Sequence, residues 1–245
     1  MNESLIHDNQ KNAKSSRRRG PKRSPAKLEA IARAARHVLA MNGPRLTQIA
    51  DVAQAAGVAA GTVYVYISEK EALIELAILY AARFDLPDAG KPVKFSAARL
   101  KQAASRALEE RLDWPVLKEA ALRAPPSADV LAAVLSETYD MLRREHQLIT
   151  LLDSCSKENA VLERLYTKGQ RSLFFRDFET CIDRLSMSGY VRRDLDIAAA
   201  SRAAVEMLVW MAMRRPGDRD PPLCDDAAAR SASIGFAIAG LTNRG

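Results

Sequence analysis

The sequence predicts an all-α protein: a three-helix head carrying a helix-turn-helix, joined to a larger helical body, about nine to ten helices in all. Three observations predict it. Aromatic residues are only 6% of the 245 and alanine is abundant, a composition that favours helix over strand. Apolar residues recur at helical spacing, and no stretch alternates with period two for long enough to suggest a sheet. Proline and glycine clusters cut the periodic stretches into helix-sized lengths.

Taken in order, residues 1–24 are polar and basic with no hydrophobic period, and read as a disordered arm. Ser24-Pro25 is a plausible N-cap followed by proline at the first helical position. Leu28, Ile31, Ala32, Ala35, Val38 and Leu39 then recur at helical spacing until Asn42-Gly43-Pro44 ends the helix. Thr47 is expected to cap a second helix that buries Ile49, Ala50 and Ala53. Gly57 makes the turn, and Val58 to Tyr64 forms a third helix. Ser68 with Glu71 fits a capping box opening a fourth. That fourth helix carries one apolar stripe of Leu73, Ala77, Tyr80 and Phe84 and another of Ile74, Ile78 and Ala81, so it is expected to pack against two bodies.

Pro87, Gly90 and Pro92 mark a break. Beyond it, helices are expected at 96–112, 116–123, 127–153, 158–187, 194–214 and 225–241. The domain reading is a basic arm at 1–24, a helix-turn-helix domain at 25–70 and a helical effector-binding and dimerisation domain at 71–245.

Charge is unevenly spread. The net is +7, yet residues 1–46 hold eleven Lys/Arg against three Asp/Glu, a net of +8 that leaves the remainder at −1. A near-neutral body with a basic front end suggests a localised polyanion contact. The segment LTQIADVAQAAGVAAGTVYVYISEKEAL from Leu46 to Leu73 supplies the matching shape, since a helix-turn-helix fits the DNA major groove. The three cysteines, Cys155, Cys181 and Cys224, are far apart and form no CxxC, which argues for a reducing cytoplasm and against a disulfide framework or zinc site. No apolar N-terminal stretch resembles a signal peptide, and the apolar block Met207–Met213 is far too short to span a bilayer, so no membrane partner is expected.

The run IADVAQAAGVAAGTVYVYISEKEAL resembles the N-terminal signature of the tetracycline-repressor (TetR) family of bacterial transcription regulators. The matching positions are Thr47, Ile49-Ala50, Ala56-Gly57-Val58, Gly61-Thr62, Tyr64, Tyr66, Lys70-Glu71 and Leu73, and Ile31 to Gly43 matches the family's first helix. The Gly189-to-Asp194 phrase looks like the family's break between its eighth and ninth helices. There are departures: Ala59 stands where the family often has a capping Ser or Thr, a loss typically worth about 1 kcal/mol, and Ile67 replaces a common aromatic.

The resemblance implies a homodimer on a palindromic DNA operator, with a small molecule in the body relieving DNA binding. Base reading is expected from Ala59, Ala60, Gly61, Thr62 and Tyr64, with Gln48 reaching across. Alanine offers only methyl contact to thymine, and Gly61 permits close approach. Thr47 is first of all a cap, with a phosphate contact in addition. Of Tyr64 and Tyr66, at least one hydroxyl is expected at the DNA backbone. In the family the lysine matching Lys70 contacts phosphate. Without Arg or Asn on the recognition helix, specificity leans on Arg45, DNA shape and the arm. Arg17, Arg18, Arg19, Lys22 and Arg23 either enter a narrow minor groove or give non-specific attraction.

In the body, Trp114, Tyr139, Met141, His146, Phe174 and Phe178 are candidate pocket residues, for a hydrophobic or aromatic effector. Phe175, Ile182, Leu185, Val205, Leu208 and Ala212 are candidates for the dimer interface, although both stripes can equally face their own core. There is no HExxH, GxSxG, phosphate loop or metal-ligand cluster, so an enzyme is not expected, and no cofactor. A non-specific DNA-coating protein and a ligand-responsive activator of the same fold are the alternatives to a repressor.

Overall fold

The computed structural model describes residues 23–123, 125–218 and 224–242. Helix α1 (Pro25–Leu46) starts as the sequence predicts, with the Ser24 hydroxyl accepting from the Lys27 N–H and proline in the first turn. It buries Leu28, Ile31, Ala32, Ala35, Val38 and Leu39, and its helical course breaks at Gly43, whose φ of 71° and ψ of 169° only glycine adopts without strain.

Helix α2 (Ile49–Ala56) is capped by Gln48 rather than Thr47: the Asp51 carboxylate accepts the Gln48 N–H at 3.1 Å. Thr47 is buried instead, its hydroxyl turned back to donate to the Gly43 carbonyl at 2.7 Å. Gly57, left-handed at φ 68°, makes the turn, and the Val58 N–H returns to the Ala53 carbonyl. Helix α3 is Ala60–Tyr66, begun by Ala59 with no side-chain cap.

The predicted Ser68–Glu71 capping box does not form. The chain leaves α3 extended because Val93 from the following linker bridges it: the Val93 N–H donates to the Tyr66 carbonyl and the Ser68 N–H to the Val93 carbonyl. A tight turn follows, and α4 (Ala72–Ala81) begins only at Ala72. All seven residues from Ala72 to Ile78 are buried, which agrees with a helix packed on two sides. It ends at Ala81, and the left-handed Arg83 follows before Phe84, the last residue of its predicted stripe.

The body holds α5 (Ala97–Arg111), α6 (Pro115–Leu122), the long central α7 (Ala128–Cys155), α8 (Ala160–Leu162), α9 (Ser172–Met187), α10 (Ile197–Val209) and α11 (Asp226–Leu241). Helix α7 packs against α1, α4, α6, α10 and α11, and one apolar core runs from Leu28 to Leu241. The two helices predicted at 158–187 and 194–214 are each interrupted by a π-helical stretch, Glu163–Arg171 between α8 and α9 and Trp210–Arg214 after α10. Over so few residues the apolar period does not separate a π turn from an α turn.

Candidate DNA-binding head and body cavity

Helix α3 turns Val63 and Tyr66 inward and leaves Ala59, Ala60, Gly61 and Tyr64 exposed, with Thr62 at the margin. Gln48 at the start of α2 is exposed as well. The two tyrosines divide. Tyr64 is 55% exposed, whereas Tyr66 is 1% exposed and its hydroxyl accepts the Ser24 N–H at 2.8 Å. Tyr66 and Thr47 are therefore core groups: the phosphate contact expected of Thr47 is corrected, because its buried hydroxyl is spent on the Gly43 carbonyl, and of the two tyrosines only Tyr64 is left exposed.

Lys70 does something the sequence did not suggest. Its ammonium donates to the carbonyls of Pro44 and Thr47, each at 3.0 Å, and reaches that of Arg45 at 3.4 Å. It therefore satisfies carbonyls left open at the end of α1. Arg45 is exposed, with its N–H held by Glu158 from the body at 2.6 Å. Arg23 donates to the carbonyls of Val65 at 3.0 Å and Gly90 at 2.5 Å. The basic arm thus meets the folded protein beside the end of α3; Arg17, Arg18, Arg19 and Lys22 lie outside the described residues.

In the body, a narrow cavity of about 90 Å³ lies between the second half of α7, the end of α5, the start of α9, the end of α10 and both π stretches. Of the predicted pocket residues, Trp114, Met141 and Phe174 line it. Trp114 and Phe174 meet edge to face at 5.2 Å, and the indole N–H donates to Asp177 at 3.1 Å. The others are displaced. Phe178 is fully buried behind Phe174, Tyr139 is buried without lining the cavity, and His146 borders a separate cleft between α4 and α7. Tyr166, Gln170, Arg171, Glu206 and Arg214 bring polar groups that sequence reasoning missed. The Tyr166 hydroxyl donates to Asp153 at 2.8 Å, and burial, then that neighbouring carboxylate, raises its pKa well above the ordinary tyrosine value. Glu206 pairs with Arg202, while Arg171 and Arg214 have no carboxylate partner among the described residues.

Five of the predicted dimer residues, Ile182, Leu185, Val205, Leu208 and Ala212, are corrected: they are buried in their own core and not open to a partner, while Phe175 is half-buried and lines the cavity. What α9, the second π stretch and α11 expose instead is Met187 (70%), Trp210 (43%) and Phe236 (72%). Cys155 and Cys181 are buried, with burial pushing their thiols up to about 12 and about 11. Among the described residues no cluster of three or more His, Cys, Asp or Glu is placed to hold a metal ion, and no helix is long and apolar enough to cross a membrane.

A helix-turn-helix with an exposed, nearly side-chain-free leading edge, set on a helical body with an internal cavity, defines a DNA-binding transcriptional regulator. Residues 31–77 match the family model of bacterial regulatory proteins of the tetR family. Solved structures share its fold. The ketosteroid transcriptional regulator KstR2 of Mycobacterium tuberculosis is 15% identical, covers 90% of this chain and 97% of its own, and superposes with a TM-score of 0.55. SCO3833 of Streptomyces coelicolor A3, a member of the TetR transcriptional regulator family, is 21% identical over 87% of this chain and 91% of its own, with a TM-score of 0.56. AibR, solved in complex with isovaleryl coenzyme A and operator DNA, is 14% identical over 86% and 97%, with a TM-score of 0.52. No curated protein sequence matches the chain.

Proposed function

We propose that the protein is a cytoplasmic repressor that binds a palindromic operator as a homodimer and leaves it when a small amphipathic acid enters the body cavity. Residues 25–70 are its DNA-binding head and 71–245 its effector-binding and dimerisation body. The reading face is Gln48, Ala59, Ala60, Gly61, Thr62 and Tyr64, flanked by Arg45, with the arm from Arg17 to Arg23 adding phosphate or minor-groove contacts. Lys70 acts at one remove, by closing the end of α1 beneath that face. Met187, Trp210 and Phe236, together with the small residues around them, supply the dimer contact. Catalysis has no place in this reading.

The observation that carries the ligand class is the make-up of the cavity. Trp114, Met141 and Phe174 form apolar walls, and Arg171 and Arg214 are cations without a carboxylate partner among the described residues. A ligand with an acyl or aryl body and an anionic end satisfies both. That AibR was solved with an acyl coenzyme A and operator DNA supports a regulator of this fold holding both kinds of partner. Thermal melting and operator gel shifts with 4-phenylbutyrate, its coenzyme A thioester and 4-phenylbutanol test it. The acid or the thioester should raise the melting temperature and release DNA, and 4-phenylbutanol should do neither. Equal responses to all three compounds would remove the anionic requirement.

A further inference from the structure

Between the head and the cavity stands the carboxylate of Glu158, just past the end of α7. Oε2 accepts the Arg45 N–H at 2.6 Å, and Oε1 lies 3.8 Å from Arg45 Nε. Two residues earlier is Gly43, the bend from which the chain enters the helix-turn-helix. The carboxylate lies against that bend as well: a Cβ added at Gly43 would stand 3.6 Å from Glu158 Oε2 and from Ser154 Oγ. Lys70 holds the same few residues from the head side through the carbonyls of Pro44, Arg45 and Thr47. The hinge of the head is therefore clamped between one cation of its own and one anion of the body.

On its other side Glu158 leads directly into the cavity wall. Asn159 caps α8 by accepting the Val161 and Leu162 N–H groups at 3.1 Å, and by Glu163 the helix has passed into its π stretch. That stretch gives Tyr166, Gln170 and Arg171 to the cavity. Runs of this kind are rare and frequently mark functional sites. Gly169 makes room for this one, since a Cβ there would come within 3.0 Å of the Arg164 carbonyl oxygen. The cavity, at about 90 Å³, is well below the roughly 300–1,000 Å³ of ordinary ligand pockets. An occupant of useful size must move a wall, and two of the walls are π stretches.

We infer that Glu158 is the positioning residue that couples the cavity to the DNA-reading head: the π stretch sets where its carboxylate stands, and the carboxylate sets the Gly43–Arg45 hinge. The inference rests on the reading that the cavity takes the effector. Displacing the stretch withdraws Glu158 from the Arg45 N–H and frees the hinge, which shifts the head between populations rather than building a new contact.

Amide hydrogen exchange on the full-length protein tests this without any ligand. In Glu158→Ala the Arg45 amide should exchange at least about tenfold faster, the effect of losing a charge-assisted hydrogen bond, while the Thr138 amide deep in α7 keeps its rate. Gly169→Ala, which perturbs only the π stretch, should also speed exchange at Arg45. Where that variant fails to fold, Tyr166→Phe, which loses only the hydroxyl bond to Asp153, takes its place. An unchanged Arg45 rate in Glu158→Ala overturns the clamp. A faster rate there, but none in the folded π-stretch variant, overturns the coupling. Failure of the effector reading shows separately, as no melting shift of the parent protein with 4-phenylbutyrate or its thioester, and leaves the exchange result standing.

Discussion

Arg83 adopts a left-handed φ of 59° and so brings its guanidinium to 2.5 Å from the buried carboxylate of Glu145. The arrangement joins the end of α4 to the middle of α7. A left-handed backbone costs a residue other than glycine roughly 1–2 kcal/mol. Arg144 also reaches Glu145, from its own helix, but cannot tie the two helices together.

Arg83→Gly separates the two effects. It relieves the backbone but leaves Glu145, 1% exposed, with one cation fewer. Breaking a buried pair costs about 3–5 kcal/mol in full, and less here because Arg144 remains. Arg83→Gly should therefore lower stability in urea denaturation, and adding Glu145→Gln should restore part of the loss. A single mutant more stable than the parent would mean that the pair contributes less than the strain.

Lys70 closes α1 through main-chain carbonyls, so Lys70→Met should cost about 1.5–3 kcal/mol of unfolding free energy, the range for hydrogen bonds made by a charged donor. DNA affinity should fall for all sequences alike, because the hinge loosens. A lysine serving only to touch phosphate predicts the affinity loss with stability unchanged, and the denaturation curve decides.

The tyrosine pair gives opposite expectations. Tyr66→Phe removes the acceptor of the Ser24 N–H and should cost about 0.5–1.5 kcal/mol of stability, with the same operator preference. Tyr64→Ala should leave the melting temperature within a degree or two of the parent and weaken operator binding by about 1–3 kcal/mol, the scale of one lost base-step contact. Gel shifts beside thermal melts check both. A destabilised Tyr64→Ala would place that ring in the core.

The division between Tyr64 and Tyr66 also shows how far the sequence could be read. Periodicity located nearly every helix, and the Gly57 turn with its flanking residues located the head. It did not say which of two tyrosines points inward, because a seven-residue helix offers barely two turns from which to fix a face. The stripes through Ile182, Leu185, Val205 and Leu208 were legible as apolar, but an apolar stripe is the same whether it meets its own core or a second copy. Lys70, Glu158 and the Val93 bridge act through main-chain groups far away in sequence, and a polar side chain facing a distant carbonyl leaves no periodic trace. The two π stretches were hidden for a similar reason, since each lasts too few residues to shift the period.

The cysteines bear on pH. Cys155 and Cys181 have folded pKa values raised to about 12 and about 11 by burial, against roughly 8.5 in an unfolded chain. A raised folded pKa contributes stability fully present below the unfolded value and lost as pH rises towards the folded one. Unfolding free energy should therefore be level to about pH 8 and fall as the pH climbs towards 11. Cysteine-to-alanine variants at both sites should flatten that fall. Under native conditions at neutral pH, Ellman's reagent should label the half-exposed Cys224 first and leave Cys155 and Cys181 untouched until denaturant is added. Rapid native labelling of either buried thiol would contradict the packing around α7 and α9.

The DNA-reading face is tested most directly by selection of binding sites from random DNA by the full-length protein, repeated with Tyr64→Ala at the same salt concentration. The parent should enrich a palindromic motif whose half-sites are separated by about 34 Å or a multiple of it, and the variant should enrich it weakly or not at all. Enrichment of no motif by the parent, or of the same motif to the same degree by both proteins, would contradict a reading face built on Ala59 to Tyr64.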